Sequence, residues 1–112
     1  MNLLIDIDDT VSEYIPYEQS YKYKEAKVLN GALESVNKLY NEGHNITFFT
    51  TRKEEYRKVT EEWLKKNGFK YDSIIMNKPI GGRYIMIDRY TSIGPCHERD
   101  WKIAQGVVRS SL

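Results

Sequence analysis

The chain of 112 residues has one cysteine, two histidines and three prolines, and each scarcity removes a class of explanation. A lone Cys96 excludes an intrachain disulfide framework, and with only His44 and His97 beside it there is no Cys/His cluster of zinc-site spacing. A reducing cytoplasm is the compartment expected from this. No apolar run approaches the ~20 residues of a membrane span. The opening segment turns acidic at Asp6, too early for the apolar core of a secretory leader. Charge of one sign is also lacking. Seventeen Lys plus Arg against sixteen Asp plus Glu leave a formal charge of +1, which argues against a long phosphate-neutralising surface and admits nucleic acid only as a substrate end. There is no GxGxxG, no Ser/His/Asp arrangement and no base beside Cys96, so hydride transfer and acyl chemistry have no support. Repeats and low-complexity segments are absent too, and residues 1–112 read as one domain.

What is present alternates. Leu3, Leu4 and Ile5 are a continuous apolar run that ends in acids, the pattern of a strand buried in a parallel sheet. Residues 11–27 lose periodicity around Pro16 and collect Tyr14, Tyr17, Tyr21 and Tyr23, which predicts a loop or small flap. Its tyrosines either wall a substrate site or pack on the sheet. Asn30 is placed to cap a helix over 31–42 with Ala32, Leu33, Val36, Leu39 and Tyr40 on one face, and Gly43 closes it. A β-branched and aromatic strand follows at 46–50. A mixed-charge helix over 53–67 comes next, closed by Gly68 and read as solvated on its charged face. Short apolar runs at 73–76 and 84–87 predict two further strands, and 98–108 a last helix. Alternation of this kind implies right-handed crossovers and a parallel sheet with helices on both faces. His44 is expected at the surface.

In such a sheet the reactive crevice lies beyond the carboxyl ends of the strands, so residues at those ends carry the information. Asp6 and Asp8 follow the first strand, Thr50 closes the second, Lys78 follows the third and Asp88 closes the fourth. Residues two apart in extended chain share a side, so Asp6 and Asp8 can share a site while Ile7 points to the core. Two neighbouring carboxylates repel unless a cation holds them, and with Asp9 and Asp88 they form an oxygen set suited to Mg²⁺. Lys78 is the natural counter-charge. Thr50 alone is an ordinary strand residue and gains weight only from its place in the series. Asp9 is read as structural or as a hydrogen-bonding support of the site, and Gly81, Gly82 and Arg83 either as a tight turn, the favoured reading, or as a loop that lets substrate approach with Arg83 on an anionic group.

LLIDIDDTV resembles the first motif of the haloacid dehalogenase superfamily, ITFFTTR the second, the lysine of MNKP the third and YIMID the fourth. The resemblance runs over residues 2–88. It implies a three-layer, Rossmann-like α/β core with a short parallel sheet in the order 4-1-2-3, and no cap domain. It also implies a Mg²⁺-dependent phosphatase with Asp6 as nucleophile and Asp8 as general acid and base. Thr50 and Lys78 would then hold the phosphoryl oxygens. Metal would be held by Asp6, Asp88 and the backbone carbonyl of Asp8. Relatives of this kind act on large substrates, or close their site with a second copy of the chain and act on small ones. The NKPIGG stretch is similar to small proteins of capsule and surface-polysaccharide synthesis, which implies a sugar phosphate; a nucleotide or nucleic-acid end is the second expectation. One departure points elsewhere. Arg89 stands where the fourth motif often carries another acid, and this keeps open a weakly active phosphate-binding or regulatory module.

Overall fold

Alternation along the first strand decides which side of the sheet is the core. In β1, Asn2–Ile5, Ile5 is buried and Leu3 half-buried, whereas Leu4 between them is 43% exposed. β2, Asn45–Phe49, runs parallel to β1 with Ile5 opposite Phe48, and β3, Ser73–Ile75, runs parallel to β2 with Phe48 opposite Ile74. Residues in register share a face, so Ile5, Phe48 and Ile74 lie on the buried side. Leu4, Thr47, Ser73 and Ile75 lie on the other, where the Thr47 and Ser73 hydroxyls meet at 2.9 Å and Ile75 is 47% exposed. This computed structural model describes residues 1–82 and the backbones of Met86–Ile87 and Ser92–Ile93.

Two helices cover the buried side. Val36 and Leu39 of α1, Ala32–Asn41, and Trp63 and Leu64 of α2, Arg57–Lys66, join Ile5, Phe48 and Ile74 in one core cluster. Among the described residues both helices therefore lie on this one side of the sheet. The strand order β1-β2-β3 adds strands in one direction, and crossovers of a single hand then put every connecting helix on the same side. A helix on the opposite side requires the chain to reverse direction across the sheet, which a fourth strand beside β1 would supply. The residues expected there behave otherwise. Met86–Ile87, β4, pairs antiparallel with Ser92–Ile93, β5, in a separate two-stranded sheet. Pairing across so short a connection loses little chain entropy compared with a long-range return to β1. The helix expected over 98–108 lies outside the described residues.

Boundaries shift where local chemistry differs from the expectation. Asn30 does not cap α1. Gly31 stands at the cap with φ +84°, in the left-handed region that a side chain disfavours, and no side chain caps the helix. The helix expected from residue 53 is reached through a 3-10 turn, Glu54–Tyr56. On its charged face Arg57 pairs with Glu61 four residues on and with Glu54 three residues back. His44 is buried rather than exposed.

The flap has more order than its lost periodicity suggests. After Pro16 comes a 3-10 segment, Tyr17–Glu25, broken at Gln19. Its repeat is three residues, and Tyr17, Ser20 and Tyr23 all turn to one ring, that of Tyr56. The Ser20 hydroxyl donates to the Tyr56 oxygen at 3.0 Å, and the Tyr17 and Tyr23 rings meet Tyr56 edge-on at 6.0 and 5.3 Å. The 3-10 segment thus packs on α2 and its leading turn, while Val11, Ile15 and Ala26 on either side of it join the core beneath the sheet. Its far end is pinned by Trp63, whose indole Nε1–H donates to the Ala26 carbonyl at 2.9 Å. Trp63→Phe leaves that buried carbonyl without its donor and is expected to lower stability by about 1–3 kcal/mol in urea unfolding. A midpoint unchanged from the natural chain would show that the indole N–H does not hold the flap. Among the described residues no helix is long and apolar enough to cross a membrane.

Candidate active site

The carboxyl ends of β2 and β3 are tied together by backbone bonds that continue past the strands themselves. Thr50 N–H donates to Ile75 O at 3.0 Å, Lys78 N–H to Thr50 O at 2.9 Å, and Asn77 N–H to Arg52 O at 2.8 Å. Asn77 has φ +61°, a conformation that asparagine tolerates better than most residues, and its side-chain oxygen accepts the Glu54 N–H at 3.2 Å. This corner turns Lys78 towards β1.

Beyond β1 the chain winds into a tight turn. The N–H groups of Thr10, Val11 and Ser12 converge on the Ile7 carbonyl at 3.1, 2.9 and 3.1 Å. Ile7 and Val11 are fully buried, so the turn is anchored from beneath, and the residues on either side of Ile7 are left at the sheet edge. Asp9 takes φ +63°, which fits the structural part expected of it.

Asp6 and Asp8 meet different partners. One Asp6 oxygen accepts the Ile7 N–H at 2.7 Å and the other lies 3.5 Å from Lys78 Nζ. The Asp6 side chain is 43% exposed while that of Lys78 is 10% exposed, so the lysine is built in and the aspartate faces outward. Burial pushes the Asp6 carboxyl above its ordinary range, and the charge of Asp8 adds to this. Lys78 and the Ile7 N–H act against it. The Lys78 ammonium also stands 5.3 Å from the Phe49 ring centre.

Both oxygens of Asp8 are taken by one guanidinium. Arg52 Nε donates to Oδ2 at 3.0 Å and a terminal nitrogen to Oδ1 at 2.9 Å, a bidentate fork. The other terminal nitrogen donates to Thr60 Oγ1 at 3.0 Å, and the Arg52 backbone N–H donates to Thr50 Oγ1 at 3.1 Å. The Tyr23 ring centre lies 3.8 Å from the guanidinium carbon. Arg52 is almost wholly buried and Thr50 completely so.

Asp6, Asp8, Thr50 and Lys78 thus form one knot at one edge, as their sequence positions suggest. Asp88 and Arg89 lie outside the described residues. Arg52, the hub of the knot, has no role in the sequence reading. The signal was available: Arg52 stands two residues beyond Thr50, the same spacing that places Asp6 with Asp8.

Among the described residues no group of three or more acids, histidines or cysteines gathers as a metal site. The donor chemistry nevertheless fits Mg²⁺. The Asp6 carboxylate has its proton affinity raised by burial despite Lys78, the state of an anion short of positive charge. Asp8, with both oxygens in the Arg52 fork, would contribute through its backbone carbonyl, as the resemblance implies.

Comparison with known proteins adds a family and a fold. A family described as PITM 1-3, LNS2 domain, matches residues 3–86. A chain of the Pnkp1/Rnl/Hen1 complex superposes with a TM-score of 0.61 at 23% identity, over 74% of this chain and 30% of that one. This chain therefore spans about 30% of that relative's length. A protein from Vibrio cholerae gives 0.60 at 18% identity, over 99% of this chain and 98% of that one. The D,D-heptose 1.7-bisphosphate phosphatase of B. bronchiseptica, complexed with magnesium and phosphate, gives 0.52 at 18%, over 72% of this chain and 52% of that one. No curated protein sequence matches.

Proposed function

The chain belongs to the LNS2-domain family, with a fold of the haloacid dehalogenase type, and on that premise we propose that it hydrolyses phosphoric monoesters through Asp6. The observation that carries the reading is the pairing at one sheet edge of an outward-facing Asp6 beside Lys78 with an Asp8 clamped through both oxygens.

The chemistry follows from these placements. An Asp6 carboxylate oxygen attacks phosphorus, the ester P–O bond breaks, and Asp8, which must first take up a proton from solvent while paired with Arg52, gives that proton to the departing alcohol oxygen. Asp8 then takes a proton from water, the water oxygen attacks phosphorus, the acyl phosphate P–O bond breaks, and inorganic phosphate leaves with Asp6 restored. Lys78 and Thr50 oppose the negative charge on the phosphoryl oxygens. Asp6, Asp88 and the Asp8 backbone carbonyl would hold Mg²⁺, which would supply further positive charge there.

Lys78→Met is expected to move the acid limb of kcat/KM to higher pH. Lys78 pulls the Asp6 proton affinity down, so its loss lets burial push the carboxyl further up and leaves less ionised nucleophile at a given pH. A pH–rate profile of both proteins checks this; an acid limb that stays in place would remove Asp6 as the group that must ionise.

For substrate, the capsule-like resemblance supports a sugar phosphate, with a second copy of the chain closing the uncapped crevice. The exposed rings of Tyr14, Tyr17 and Tyr21 favour the second reading, a nucleotide or nucleic-acid end stacked on the flap. The test is phosphate release from a panel of sugar phosphates, nucleotides and end-phosphorylated oligonucleotides, with and without Mg²⁺. Mg²⁺-dependent release names the class; silence across the panel together with absent Mg²⁺ binding replaces the enzyme by a phosphate-binding module.

A further inference from the structure

Arg52 is held on every side by groups whose purpose differs. Asp8 takes the fork, Thr60 takes the remaining terminal nitrogen, and the guanidinium carbon stands over the Tyr23 ring. Of these, only Tyr23 comes from the flap. The ring is buried, 3% exposed, and is itself braced edge-on by Tyr56, to which Ser20 and Tyr17 of the same 3-10 segment also attach.

A planar cation over an aromatic face is attracted by the ring's negative quadrupole, and the attraction grows where water is excluded. Arg52 meets both conditions, being almost fully buried with its carbon 3.8 Å from the ring centre. The ring has a geometric effect as well. With the ring centre 3.8 Å from its carbon, the buried guanidinium has little room to turn, and this steadies the fork that presents two N–H groups to Asp8. Asp8 leans on Arg52, and Arg52 leans on the flap.

We propose that Tyr23 is a positioning residue for the general acid and base: through Arg52 it sets the orientation of Asp8, so that the flap's packing on α2 tunes catalysis without touching substrate. This rests on the phosphatase reading above for its catalytic half and on geometry alone for its clamp half. The flap then has two sides with separate tasks. Ser20 and Tyr23 turn inward and hold the machinery, while the rings of Tyr14, Tyr17 and Tyr21 stay exposed, that of Tyr17 with one edge on Tyr56.

The test uses the full chain with Tyr23 replaced by Phe, by Leu, and site-specifically by pentafluorophenylalanine, which keeps the ring's shape while reversing its quadrupole. Two readouts run in parallel: kcat and KM for p-nitrophenyl phosphate, and the ¹H–¹⁵N resonance of Arg52 Nε–H, shifted by the ring and slowed in exchange by the Asp8 bond. Tyr23→Phe should keep kcat and the resonance close to those of the natural chain. The fluorinated ring and Tyr23→Leu should lower kcat about tenfold at nearly constant KM and release the resonance. An Arg52 signal indifferent to the fluorinated ring overturns the clamp, and a released signal with unchanged kcat overturns its catalytic meaning. Should Tyr23→Leu fail to fold, the fluorinated variant decides alone. A natural chain that releases no phosphate overturns the phosphatase reading and the catalytic half with it, while the resonance still decides the clamp.

Discussion

Asp6→Asn should leave a folded protein whose phosphate release has fallen by on the order of 10⁴-fold or more, since the amide oxygen cannot serve as the nucleophile. The same substitution makes a stability prediction of opposite sign. Burial holds the Asp6 carboxyl above its ordinary range even with Lys78 beside it. A group raised in this way contributes stability that is fully present below its unfolded value and lost as pH rises through its folded value. At neutral pH the ionised Asp6 is therefore a net burden in metal-free buffer, and an uncharged side chain of the same shape removes it. The thermal midpoint of Asp6→Asn should be equal to or above that of the natural chain near neutral pH. The difference should narrow as pH falls through the carboxylate range. Adding Mg²⁺ should then raise the midpoint of the natural chain more than that of the variant, because only the former offers the charged ligand. Retention of most activity in Asp6→Asn would sink the mechanism.

The site was legible from sequence because buried parallel strands announce themselves. Continuous apolar runs stop at Asp6, Thr50 and near Lys78, and parallel strands bring such stops to one edge whatever lies between them. Arg52 escaped because an arginine in a charged-looking stretch gives no sign of burial; only its partners, Asp8 forty-four residues earlier and Thr60 eight later, make burial tolerable. Tyr23 escaped for a related reason. The four tyrosines of the flap keep no single period, and the three-residue repeat that places Tyr17, Ser20 and Tyr23 on Tyr56 is visible only when a 3-10 helix is considered. The cap of α1 depended on a distinction that residue preference blurs. Asn30 is the better capping side chain, yet the chain needs a left-handed residue there, and Gly31 supplies it. Which face carries the helices was a question of topology rather than of pattern, decided by the direction in which the strands are added.

Arg52→Ala is expected to damage stability and turnover together. It removes two charge-assisted bonds to Asp8, a bond to Thr60 and the contact with Tyr23, and leaves a carboxylate that is only 15% exposed without its counter-charge. Breaking a buried pair from one side typically costs about 3–5 kcal/mol, and the residual exposure of Asp8 places this case at about 3. Urea unfolding should show the loss. Removing Asp8 as well, in Arg52→Ala with Asp8→Asn, should recover part of it, because no uncompensated charge then remains. Turnover should fall roughly 10²-fold, the share that a positioned acid and base contributes, with KM little changed because Arg52 faces Asp8 rather than the crevice. Arg52→Lys should rescue little. A lysine restores the charge but not the planar fork, and it cannot lie flat on Tyr23 while holding both oxygens. The Thr50 contact separates the two halves of Arg52, since it is made by the backbone N–H and survives either substitution. A lysine variant with full turnover would mean that charge alone positions Asp8, and the geometry of the fork would then have no part in catalysis.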